Sequence, residues 1–105
     1  MPQPPNMQQM MRQVQKMQQD MLEAQEALKH EEVEASAGGG MVKVKVNGAE
    51  EIVDIKIEKD VINPDDKGML EDLVLAAANE GIKKAKKLRE AELAKITGMV
   101  MPGLM

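Results

Sequence analysis

Residues 38–58 read GGGMVKVKVNGAEEIVDIKIE. Val42, Val44 and Val46 alternate with Lys43, Lys45 and Asn47. Beyond Asn47-Gly48, Val53, Ile55 and Ile57 alternate with Asp54, Lys56 and Glu58. Successive side chains of a strand point to opposite faces, so each half presents β-branched aliphatics on one side and charge on the other. An Asn-Gly pair between two such runs predicts a hairpin closed by a type I′ turn, whose two central residues take positive φ. A two-stranded ribbon alone is marginal in water. Its aliphatic face needs a cover, and the long segments on either side are the candidates.

Working outward, residues 31–37 (EEVEASA) alternate again, with Val33, Ala35 and Ala37 set against Glu32, Glu34 and Ser36. This predicts a first strand joined through Gly38-Gly39-Gly40 to a meander over 31–37, 41–47 and 50–58. Antiparallel meanders with one polar face pack helices on the other. Upstream, Met7, Met10, Val14, Met17, Met21, Ala24 and Leu28 step by three and four residues, the spacing of an a/d seam. Gln, Glu, Arg and Lys fill the other positions, and all are good helix formers. A helix over about 7–30 would run roughly 36 Å. That is longer than the hairpin can cover, so part of it should project or pair with another chain. Asn6 is the candidate N-cap.

Downstream, Asn63-Pro64-Asp65-Asp66 is a helix start: a capping amide, proline in the first turn, then acids at the positive end of the dipole. Leu70, Leu73, Val74, Ala77, Ala78, Gly81, Ile82, Ala85 and Leu88 keep helical spacing, and the small residues among them allow close approach. Gly98 is the expected terminator. The fold class is therefore α+β: a long N-terminal helix, a three-stranded antiparallel β-meander and a long C-terminal helix. Residues 1–105 form a single domain, with 1–6, which hold three of the five prolines, and 99–105 as flexible tails.

Composition narrows the function. Phe, Tyr, Trp and Cys are all absent. A core of Val, Ile, Leu, Met and Ala forgoes the area that rings supply, which favours oligomerisation. Disulfide frameworks and thiolate metal sites are excluded. One His (His30), one Ser (Ser36) and one Thr (Thr97) leave almost no material for nucleophilic or acid–base catalysis. The expectation is a non-enzyme with no cofactor and no small-molecule substrate. His30 beside Glu31, Glu32 and Glu34 reads as a helix-end dipole contact rather than a metal site. The methionines could suit a soft metal, but their heptad spacing points to packing. No apolar run approaches a membrane span of about 20 residues. The expectation is a soluble, cytoplasmic protein.

The net charge of −4 conceals an asymmetry. Residues 63–80 hold Asp65, Asp66, Glu71, Asp72 and Glu80 against Lys67, whereas Lys83, Lys84, Lys86, Lys87 and Arg89 crowd the next turns. One reading is a helix that suits its own macrodipole, acids first and bases last. It also offers cations that could neutralise a phosphate backbone without reading sequence, with Arg12 and Lys16 one turn apart on the first helix as a secondary pair. Modules for single-stranded nucleic acid stack bases on aromatic rings. With no aromatic side chain, the favoured nucleic-acid target is duplex DNA.

Taken together, the Gln/Met-rich helix MQQMMRQVQKMQQDM, the segment GGGMVKVKVNGAEEIVDIKIE and the helix start DDKGMLEDLVLAAANEGIKKAKK resemble the YbaB/EbfC family of bacterial nucleoid-associated DNA-binding proteins. The likeness spans about residues 7–101, and Met69 to Val74 (MLEDLV) is its most specific piece. It implies a tweezer-like homodimer with helices projecting from a β core, located at the nucleoid and binding double-stranded DNA with little sequence dependence. On that reading Lys83, Lys84, Lys86, Lys87 and Arg89, then Arg12 and Lys16, contact phosphates. Val42, Val44, Val46, Val53, Ile55 and Ile57 form the core and part of the dimer contact. The alternative is a protein-interaction module that docks partner helices on the Met-rich seam.

Overall fold

A computed structural model describes residues 6–100. In chain order these are α1 (Met7–Leu28), β1 (Glu32–Ala37), β2 (Val42–Asn47), β3 (Ile52–Ile57), short 3-10 turns at Lys59–Val61 and Pro64–Asp66, and α2 (Lys67–Val100). The strands form an antiparallel meander in the order β1-β2-β3. Each lies within the range its alternation predicts. The two capping expectations also hold: Asn6 Oδ1 accepts from the Gln8 N–H at 3.1 Å, and Asn63 Oδ1 from the Asp65 N–H at 3.0 Å. Of the expected tails, 1–6 and 99–105, residues 1–5 and 101–105 lie outside the described residues, whereas Asn6 caps α1 and residues 99–100 continue α2.

One face of the sheet is roofed by the first half of α2. Val42, Val44 and Val46 on β2, Ala35 on β1, and Ala77 and Ala85 on α2 are the buried centre, flanked by Leu70, Leu73, Val74 and Ile82. The roof sits low because Gly81 has no side chain. A Cβ there would lie 2.7 Å from Val46 Cγ2 and 2.8 Å from Val44 Cγ2. That clearance explains why a glycine interrupts an otherwise Ala-rich helix, where it costs roughly 1 kcal/mol relative to alanine.

Three expectations need correction. The hairpin is not closed by a two-residue type I′ turn. Asn47 remains in β2, paired with Glu32, and the loop between the strands has four residues, 48–51, with Glu50 rather than Gly48 in the left-handed region (φ 64°). The Asn47 side chain decides this: its Oδ1 accepts from the N–H groups of Ala49 and Glu51, both at 3.0 Å, and so organises the loop from its first corner. Gly48 is a glycine for another reason. Its N–H donates to Leu28 O (2.8 Å) and Glu31 O (2.9 Å), and a Cβ would stand 2.6 Å from the Leu28 carbonyl. The end of α1 thus presses directly on the hairpin tip.

Next, β3 is not part of the buried core. A bulge between Lys45 and Val46 sets Val46 opposite Ile52, so Ile52, Ile55 and Ile57 share the inner face and Val53 is the extra residue. α2 roofs β1 and β2, leaving Val53, Ile55 and Ile57 exposed. Last, Gly98 does not end α2, which continues through Val100. The left-handed glycines are Gly38, Gly39 and Gly40, which turn β1 into β2. A single glycine after some thirty helical residues carries only its modest propensity cost.

Beyond the sheet, α1 packs on the second half of α2, and the molecule extends 79 × 23 × 16 Å. Leu28 is buried and Met17, Met21 and Ala24 are half-buried, as are Leu88, Leu93 and Ile96 on α2. The seam is used only over its last turns. Met7 remains 78% exposed, with Met10, Met11 and Val14 also open, so the start of α1 is the uncovered segment that its length predicts.

Candidate nucleic-acid interface

α2 presents its cations on three different sides. At about 100° per residue, Lys83, Lys86 and Lys87 fall opposite the stripe Ala77, Gly81 and Ala85 that rests on the sheet. All three are exposed, and none lies within ion-pair distance of a carboxylate among the described residues. Lys84 and Arg89 flank the buried stripe on its two edges and turn back to the sheet. Lys84 Nζ donates to the Glu34 carbonyl at 3.0 Å, and Arg89 Nη1 stands 3.8 Å from Glu50 Oε1 at the hairpin tip. Five consecutive-looking cations therefore divide into three free ones and two tethered ones. The division follows from helical pitch: residues 83, 86 and 87 share a face, while 84 and 89 border the face that the small residues bury.

Arg12 and Lys16 are exposed on the side of α1 away from its seam. They lie twelve or more residues before Leu28, about 18 Å or more along the helix. Since Leu28 is the point where α1 meets the hairpin tip and Arg89, the fold does not bring this pair beside the lysine run. Lys29 closes α1 in an ion pair with Glu26 at 3.2 Å.

Other chemistry-bearing residues escaped the sequence reading. On the open face of the sheet, Glu34, Lys45 and Asp54 align across the three strands as acid, base, acid, while the next row sets Ser36, Lys43 and Lys56 side by side. The alternation places these lysines on the polar face, but only the register shows that Lys43 and Lys56 oppose one another, an unfavourable like-charge pair. No sequence signal links Glu50 with Arg89, since their approach depends on α1, the hairpin and α2 converging. Among the described residues, no group of three or more His, Cys, Asp and Glu side chains is arranged to hold a metal ion, and no helix is long and apolar enough to cross a membrane. What the arrangement offers is a flexible, exposed, sequence-blind set of cations on the outer face of a long helix, suited to anionic backbones.

Comparison with known proteins places this geometry. The sequence pattern of the YbaB/EbfC DNA-binding family matches residues 3–100. A nucleoid-associated protein of Alkaliphilus metalliredigens is 52% identical over 101 residues, covering 95% of this chain and 89% of the relative. A nucleoid-associated protein of Pelotomaculum thermopropionicum is 52% identical over 100 residues, covering 94% and 95%. Among solved structures, that of the uncharacterized protein HP0035 from Helicobacter pylori superposes with a TM-score of 0.79 at 25% identity, over 90% of this chain and all of that one.

Proposed function

The chain belongs to the YbaB/EbfC DNA-binding family, and from that premise we propose that it binds double-stranded DNA largely without sequence preference, through backbone phosphates, as a homodimer. The observation that carries this reading is the face of Lys83, Lys86 and Lys87, exposed and free of carboxylate partners among the described residues. Lysines of this kind gain by releasing counterions from DNA and carry no base readout. Lys84 and Arg89 contribute after exchanging their protein acceptors for phosphate. Arg12 and Lys16 act as a separate outer contact on a longer stretch of duplex.

The second copy has a place to sit. Ile52, Ile55 and Ile57 stay exposed on β3, and beside them Leu70, Val74, Leu75 and Ala78 line an apolar groove of about 510 Å³. A homodimer that joins two such edges would complete each core and send the two α1–α2 arms outward as tweezers. The whole chain acts as one domain, in the cytoplasm at the nucleoid, as a binder and not an enzyme, and it bears on chromosome organisation or gene expression.

Titration of a random-sequence duplex across a salt series tests the reading. Six outward lysines in a two-chain particle give a slope of log affinity against log salt near about −5. Charge reversal of Lys83, Lys86 and Lys87 together weakens binding to every duplex alike, on the order of a hundredfold or more. Binding as tight as the parent's would refute the assignment. Exposed Met7, Met10, Met11 and Val14 favour a second reading, in which α1 docks helices of partner proteins. Met7→Gln with Met10→Gln would abolish such docking and leave duplex binding intact.

A further inference from the structure

We propose that the cleft at the root of the helical arm is a gated phosphate site, in which the Glu50 carboxylate stands where a phosphate group would otherwise sit on Arg89. As a DNA-phosphate site this rests on the DNA-binding reading; as a site for the phosphate group it does not. The cleft, of about 310 Å³, lies between Gln25 of α1 and its C-cap Lys29, Gly48 and Glu50 of the hairpin loop, and Arg89 of α2. Two cations border it, and each is provisionally neutralised: Arg89 by Glu50, and Lys29 by Glu26 on its own helix.

The contact that neutralises Arg89 is loose. The Arg89–Glu50 separation of 3.8 Å exceeds the roughly 2.7–2.9 Å of a charge-assisted hydrogen bond. The two side chains are 47% and 33% exposed, and exposed pairs of this kind contribute little. A phosphate can take two parallel N–H bonds from a guanidinium, a geometry that the Glu50 carboxylate does not reach at this distance. The exchange of carboxylate for phosphate therefore runs in favour of the phosphate.

The backbone gives an independent reason to single out Glu50. It is the one non-glycine residue at positive φ among the described residues. Glycine or asparagine would occupy that corner at lower cost, so the loop gains nothing locally from an acid there. Such residues, kept against local preference, mark places where side-chain chemistry matters. Its neighbour Glu51 does serve the loop, accepting from Asn47 Nδ2 at 3.2 Å. The two adjacent acids thus divide the work: one holds the turn, and the other guards the arginine.

The phosphate could come from a DNA backbone or from a free anion, and the test separates them. A short random-sequence duplex is titrated by fluorescence anisotropy against the parent, Glu50→Gln, Arg89→Gln and the double variant. Glu80→Gln, which removes the same charge from an exposed part of α2, is the control. Glu50→Gln tightens duplex binding about two- to fivefold, the range an exposed ion pair is worth. The gain vanishes in the Arg89→Gln background, and Glu80→Gln does not reproduce it. In parallel, inorganic pyrophosphate is titrated while the Gly48 amide and the Arg89 Nε–H are followed by NMR; both shift in Glu50→Gln, and the Gly48 shift is lost in the double variant. Shifts with pyrophosphate but no gain on duplex assign the site to free anions. A gain equal in Glu80→Gln, or retained without Arg89, overturns the proposal, as does the absence of both gain and shift. A parent that ignores duplex DNA refutes the DNA-binding reading, and the pyrophosphate arm still decides the cleft.

Discussion

Strands β2 and β3 carry the same kind of side chain on the same face of one sheet. Val42, Val44 and Val46 stand opposite Ile57, Ile55 and Ile52. The valines are at most 1% exposed, whereas the isoleucines remain 38–46% exposed. Pattern and propensity do not account for this, because both strands alternate and both are β-branched. Position does: β2 is central and lies beneath Gly81, whereas β3 is the edge that α2 touches only marginally. Alternation fixes which face is apolar, but whether that face is covered depends on what else the topology supplies. An uncovered apolar edge is the usual mark of an interaction surface or an aggregation hazard.

The largest expected effect comes from placing a charge on each strand in turn. Val44→Asp buries an unpaired carboxylate and costs more than about 4 kcal/mol, enough to abolish the cooperative thermal transition followed by circular dichroism. Ile55→Asp leaves helix content intact and lowers the sedimenting mass toward one chain. Equal unfolding by both would break the contrast, and would mean that β3 is covered in solution as completely as β2.

A smaller effect separates the two strands by truncation. Val44→Ala removes buried methyl groups and costs about 1–3 kcal/mol in urea unfolding. Ile55→Ala costs under about 1 kcal/mol at high dilution, and more as protein concentration rises if a second copy seats there. Loss at Ile55 independent of concentration would argue against that copy.

The smallest test concerns the roof itself, through two glycines of α2. Gly68 has open space around it, and Gly68→Ala stabilises by about 0.4–1 kcal/mol through reduced unfolded-state entropy and better helix propensity. Gly81→Ala instead drives a methyl into Val44 and Val46 and destabilises by about 1–3 kcal/mol. The opposite signs would confirm that closeness of α2 to β2 distinguishes the strands. A stabilising Gly81→Ala would show slack in the roof.

Much of the architecture could be read from local chemistry. Asn6 and Asn63 cap the turns their side-chain type predicts, and period-2 and heptad patterns locate strands and helices to within a few residues. What escaped depended on distant partners. Asn47-Gly48 has the composition of a type I′ turn, yet Gly48 is needed where Leu28 crowds it, and Asn47 anchors a longer loop. The bulge that exchanges Val53 for Ile52 on the inner face is a property of register. Lys83 to Arg89 read as one stripe in sequence, whereas the pitch of α2 and two acceptors, one on β1 and one in the hairpin loop, split it into free and tethered members. The Met-rich seam correctly gives a helix. How far it is covered depends on where α2 lies, which the seam does not encode.

The amide of Gly48 bonds to carbonyls on both sides of the bend where α1 gives way to β1, Leu28 on the helix and Glu31 just before the strand. Swinging the arm away from the body must release that hydrogen from both acceptors at once. Its replacement by deuterium would therefore count arm openings one at a time, and a clamped double helix would slow the clock.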